Sequence, residues 1–116
     1  MSELEQRLAD LAAAGLTITY GQLSRDLGWR MAELTAALEA LMVIDARNGH
    51  PLRASVCKGR LSGGLPARGF FDKAVELGLI PADDAAFVAK HRTALFHAAQ
   101  TRQPEVVAPK SQTGKD

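Results

Sequence analysis

Apolar positions recur at helical spacing through the first 46 residues, and the period then changes. Leu4, Leu8 and Leu11 share one face of the opening segment, Ser2 and Glu5 supply a capping box before them, and Gly15 is a left-handed stop. The pattern predicts a helix of about three turns. Thr19, with Gln22 three residues later, offers a second capping box, and Leu23 and Leu27 share the inner side of a short helix stopped by Gly28. Leu34, Leu38, Leu41 and Met42 form the clearest amphipathic stripe and predict a third helix over about residues 30–46.

Past the turn signal Asn48-Gly49, Leu52, Ala54 and Val56 alternate with Arg53, Ser55 and Cys57, the period of a half-buried strand. Gly59, Gly63, Gly64, Pro66 and Gly69 then crowd residues 58–69 and predict a loop of the kind found at hairpin tips. Phe70-Phe71 opens a further helical stretch through Leu77, closed by Gly78, with at least one phenylalanine anchoring it to the core. Pro81, Asp83 and Asp84 predict the start of a last helix over 81–101, where the two carboxylates suit the positive end of the helix dipole. The expected fold is mostly α with a small β element, one domain over residues 1–102. Pro104, Pro109 and the polar residues around them make 103–116 an expected disordered tail.

A length of 116 residues and a hydrophobic fraction of 47% fit one globular domain. Only six residues are aromatic, and alanine supplies much of the apolar total, which favours close helical packing. Cys57 is the single cysteine, so no internal disulfide forms, and no Cys/His group has the spacing of a zinc site. No basic segment followed by an apolar stretch opens the chain, and no run approaches the roughly 18 apolar residues of a membrane helix. A cytoplasmic protein without metal, cofactor or membrane association is expected.

The formal net charge of +1 conceals a division. Residues 1–46 carry three basic against seven acidic side chains, whereas residues 47–73 carry six basic against one acidic. Two short helices around a tight glycine turn, then a strand and a Gly-rich loop, are the ingredients of a winged helix-turn-helix, whose second helix enters the major groove. Here that helix starts near Arg30 and presents Trp29, Arg30, Glu33 and Thr35, and the same three-helix packing also serves domains that bind protein. Arg53, Lys58, Arg60 and Arg68 surround the strand and loop, where glycines let backbone approach phosphate and guanidinium forks match its oxygens.

Other chemistry is weaker. Cys57 has Lys58 beside it, but no acid falls within 46–71 to orient His50 as a base, so a structural cysteine is expected and no catalytic residue is assigned. His91 and His97, six apart, do not share a helix face as metal ligands do.

The string from Ile18 through Thr19-Tyr20-Gly21 to Gly28 resembles the helix-turn-helix entry of the alkyltransferase-like proteins and DNA alkyltransferases. That resemblance implies a DNA-binding fold in which Tyr20 approaches a phosphate. Gly59-Arg60-Leu61-Ser62-Gly63-Gly64-Leu65 is similar to the glycine-rich segment beyond that family's active-site loop. In place of the family's Pro-Cys-His-Arg motif stands Pro51-Leu52-Arg53-Ala54, without acceptor cysteine or histidine, and its base-stack arginine falls near Leu34. Residues 18–79 more closely resemble short bacterial and phage proteins of unassigned function that pair a Thr-Tyr-Gly helix entry with a Gly-Leu-Pro-x-x-Gly-Phe loop, here Gly64 to Phe70.

The sequence thus points to a non-enzymatic module that binds duplex DNA, of the kind used in transcription regulation. Arg30 and Thr35 face the groove, Tyr20 approaches phosphate, and Arg53, Lys58, Arg60 and Arg68 hold the backbone. The alternative is a protein-interaction adaptor in a phage or host-defence setting. Ala85, Val88, Ala89, Leu95 and Phe96 of the last helix serve either internal packing or a homodimer.

Overall fold

The computed structural model describes residues 1–102, and the tail expected over 103–116 lies outside the described residues. Helix α1 spans Glu3–Ala14 and starts as its sequence predicts: the Glu5 N–H donates to Ser2 Oγ at 3.1 Å, and the Ser2 N–H donates to Glu5 Oε1 at 3.0 Å. Strand β1, Ile18–Thr19, leads into α2, Tyr20–Leu27, where Thr19 Oγ1 accepts the Gln22 N–H at 3.2 Å; only this half of the expected box forms, because the Gln22 side chain turns forward and donates to Asp26 Oδ1 at 2.7 Å. Gly28 ends α2 at φ 71°, a left-handed conformation that costs glycine little. Two residues later α3 begins and runs over Met31–Arg47. Helix α4 spans Arg68–Glu76 and α5 spans Asp84–Arg102. The last helix starts later than Pro81 because Asp83 caps it, its Oδ1 accepting the Ala86 N–H at 3.1 Å.

The strand expected from the alternation at 52–57 is instead a 3-10 turn over Arg53–Val56, followed by a two-residue strand β2, Cys57–Lys58. Leu52, Ala54, Ser55, Val56 and Cys57 are all buried, so the period of two does not separate an inner from an outer face. Small Ala, Ser and Cys side chains let the helices close around the turn on every side. Strand β2 pairs in parallel with β1, Ile18 opposite Cys57 and Thr19 opposite Lys58. A parallel pair needs a crossover, which α2 and α3 supply. Among the described residues this pair is the whole sheet, and the Gly-rich loop is not the tip of an antiparallel hairpin. The architecture is mostly helical with a small two-strand sheet.

The predicted stripes meet in one core. Leu4, Leu8 and Leu11 of α1, Leu23 of α2, and Leu34, Leu38 and Met42 of α3 enclose Leu52 and Val56, with Phe70 and Ala74 of α4 and Val88 of α5 completing it. Phe70 is the phenylalanine that anchors α4, and Phe71 meets its ring edge-on at 5.2 Å.

Seating the turn in the core brings polar groups inside, and each neighbouring helix answers one. Asp45 of α3, its side chain only 3% exposed, accepts the Arg53 N–H at 3.0 Å and the Arg53 guanidinium at 2.8 Å. The same guanidinium reaches Glu5 of α1 at 3.0 Å. The Ser2 N–H, and then Arg53, hold the Glu5 carboxyl down at about 2. From α5, His91 Nδ1 accepts the Leu52 N–H at 2.9 Å while its ring packs 4.5 Å from Phe87. Burial, with Lys90 adding to it, pushes the His91 pKa below the usual imidazole value.

Two outcomes follow from this network. Asp45→Ala leaves a half-buried guanidinium short of its main partner and should cost about 2–3 kcal/mol, somewhat under the value for a fully buried pair because Arg53 and Glu5 stay partly wet; urea unfolding measures it. With the folded-state His91 pKa depressed, the unfolded chain takes up the proton first, so the stability that neutral His91 contributes is complete above about 6.5 and is lost as pH falls from there. Glu5 adds a second loss as pH falls from about 4.5 to about 2. Thermal midpoints across pH should show both limbs in the wild type, and His91→Gln should flatten the one just below 6.5 while leaving the lower one.

Candidate nucleic-acid interface

The Gly-rich segment closes on itself. The Gly59 N–H donates to the Leu65 carbonyl at 2.9 Å, and the Leu65 N–H donates to the Ser62 carbonyl at 3.0 Å. A Cβ on Gly59 would meet the Ser62 hydroxyl, so any larger residue there needs that side chain to turn away. Arg60 and Leu61 point outward from this closed loop, Leu61 with 89% of its surface exposed. Lys58 stands at its entry in β2, and Arg68 opens α4 just past its exit, 89% exposed and 3.8 Å from Asp72.

Tyr20 ties the loop to the start of α2. Its Oη accepts the Ala67 N–H at 3.0 Å, and burial of the ring raises its pKa to about 12. The tyrosine expected at a phosphate is therefore engaged inside the protein, as an acceptor whose hydroxyl hydrogen still has a bond to give. Beside it, Tyr20, Thr35, Met31, Ala67, Gly69 and Phe70 line a groove of about 220 Å³. This groove brings together Tyr20, Thr35 and the backbone on both sides of Arg68. Arg30 is exposed at the head of α3, where its N–H donates to Glu33 Oε1 at 2.9 Å. Beyond it the exposed residues of α3 before Arg47 are Met31, Ala32, Glu33, Thr35, Ala36, Ala40 and Ile44, and the next basic residue is Arg47.

Arg53 does not join this face, which corrects its expected place on the nucleic-acid backbone. A strand would have turned it outward; the 3-10 turn directs it to Asp45 and Glu5, at the wall of a separate hollow of about 460 Å³ shared with Leu8 and Leu95. Its charge is neutralised within the fold. Lys73 is likewise committed, to Glu76 at 2.9 Å. Cys57 is buried and its thiol is pushed up to about 12, so it keeps its proton at neutral pH and is a poor nucleophile.

One cation at this site escaped the sequence reading. Arg92 of α5 is half-buried, its Nε donating to the Ser55 carbonyl at 2.6 Å and its Nη2 reaching the Cys57 carbonyl at 3.4 Å. The available signal was its spacing, since residue 92 falls on the stripe of Val88, Leu95 and Ala99, where a charge is out of place.

Among the described residues no three His, Cys, Asp or Glu side chains are arranged to hold a metal ion, and no helix is long and apolar enough to cross a membrane. Tyr20→Phe deletes the acceptor for the Ala67 N–H; it should cost about 1 kcal/mol and speed amide hydrogen exchange in residues 59–67 well before the core exchanges, which mass-resolved exchange will register. Compared with protein-family models, curated proteins and solved structures, the chain matches none.

Proposed function

We propose that this protein is a non-enzymatic module that binds duplex DNA chiefly through its phosphates, with a winged helix-turn-helix-like layout. Helices α2 and α3 are the helix-turn-helix pair, and the closed loop 59–65 stands where a wing would. The observation that carries the reading is the Tyr20–Ala67 hydrogen bond, which holds an exposed, cation-flanked loop in a set relation to the start of α2. Lys58, Arg60 and Arg68 are the backbone contacts, Arg30 and Thr35 the residues nearest the bases. With no basic residue on α3 between Arg30 and Arg47, backbone contact outweighs base reading.

A second reading, a protein-interaction adaptor of the phage or host-defence kind, has the exposed Leu61 and the apolar groove in its favour. A stoichiometric partner recovered by pull-down, together with no retention on duplex DNA, would select it.

Fluorescence anisotropy with a mixed-sequence duplex at 50–200 mM salt tests the leading reading. The Arg60→Gln, Arg68→Gln variant should bind all sequences more weakly and lose about 1.8 from the magnitude of the salt slope, two contacts at about 0.9 each. Arg30→Ala should change the preference among sequences. Absence of binding at low salt, or an unchanged slope in the double variant, rejects the proposal.

A further inference from the structure

Two arginines brace the same 3-10 turn, Arg53 from within it and Arg92 from α5, and they differ in one respect. Arg53, on the side of α1 and α3, has two carboxylates. Arg92, on the side of α5, is also half-buried, yet among the described residues it makes no ion pair and is held only by the Ser55 and Cys57 carbonyls. A guanidinium drawn out of water without a counter-ion is costly, because backbone carbonyl dipoles orient it but do not neutralise it. Two of its five N–H groups meet those carbonyls, which leaves three to donate.

Its position is specific. The bond to the Cys57 carbonyl sets the guanidinium against β2, one residue before Lys58 and two before the closed loop. It lies close enough to Tyr20 for its charge to bear on that phenol, and Tyr20 carries the far end of the loop through Ala67. The uncompensated cation thus sits against the strand from which the basic loop departs, not on a remote face. Unlike Arg60 and Arg68, it is oriented by two hydrogen bonds before any ligand arrives, so an oxyanion loses little side-chain freedom in meeting it.

We propose that Arg92 is an oxyanion-binding residue, a pre-oriented seat for one phosphate group at the junction of β2 and α5, with Lys58 beside it. In the DNA reading, on which this extension rests for its natural ligand, that phosphate belongs to the duplex backbone. The same chemistry accepts a free polyphosphate.

The Arg92 Nε–Hε resonance of the 15N-labelled wild-type protein, assigned by its absence in Arg92→Lys, reads the contact without disturbing the fold. It should move on titration with a mixed-sequence duplex at low salt while that of Arg53 stays, and Arg92→Gln, confirmed folded by circular dichroism, should lose about 0.9 from the salt slope. If Arg60 moves with duplex and Arg92 does not, Arg92 is only a staple: the proposal fails and the DNA reading survives. If duplex moves neither but sodium tripolyphosphate moves Arg92, the oxyanion seat stands and the DNA reading falls. If neither probe moves Arg92, the proposal is overturned.

Discussion

Residues 52–57 pass through the middle of the helical array with side chains buried nearly all round, and the polar groups they carry inside have to be met from the surrounding helices. Three helices meet most of that demand, and the buried Ser55 hydroxyl is left without a hydrogen-bond partner among the described residues. Asp45 of α3 and Glu5 of α1 take the Arg53 guanidinium, His91 of α5 takes the Leu52 N–H, and Arg92 of α5 takes the carbonyls of Ser55 and Cys57. The turn is short and lacks the ladder of a helix or sheet, so these side chains replace the backbone partners that regular structure would supply. Because β2 follows directly and pairs with β1, the placement of this turn also sets where α2 begins and where the Gly-rich loop departs.

The same constraint redistributes the charge. In sequence, residues 47–73 are a basic block beside the acidic segment 1–46. In the fold, Arg53 is withdrawn from the block and cancels against Glu5 and Asp45, two of the acids of that segment, while Lys73 turns to Glu76. What stays on the loop is Lys58, Arg60 and Arg68, a smaller set in a narrower place. Arg92, far along the chain, is held against the strand from which that loop departs. A local concentration of cations steers an anionic ligand more than a whole-chain total of +1 suggests.

The helices were legible because their signals are local. Ser2 and Glu5, Thr19 and Gln22, Gly15 and Gly28 all mark ends through contacts three or four residues away, and those contacts form. The 52–57 segment departs from the strand its pattern suggests because its alternation of large and small residues is ambiguous: Leu52, Ala54 and Val56 suit one strand face, but Ser55 and Cys57 are small enough to be buried as well. Nothing within the segment tells that three helices surround it. The site was legible in part for the same reason. Lys58, Arg60 and Arg68 flank a loop defined by its glycines, whereas the fate of Arg53 depends on Glu5, 48 residues away. The engagement of Tyr20 by Ala67 is similarly non-local, 47 residues apart.

The hydrogen bond between the Ala67 N–H and Tyr20 has an optical consequence. Tyr20 is the only tyrosine in the chain, so the ultraviolet absorbance of phenolate arises from this one joint between α2 and the loop. With burial holding its ionisation at about 12, against 10 for a phenol in water, any event that detaches the loop brings the ring into solvent and shifts the absorbance titration to lower pH. The unlabelled protein thus carries its own intrinsic gauge of whether the loop is docked or released, at a position 38 residues before Lys58 and 40 before Arg60 yet joined to both through the loop's far end.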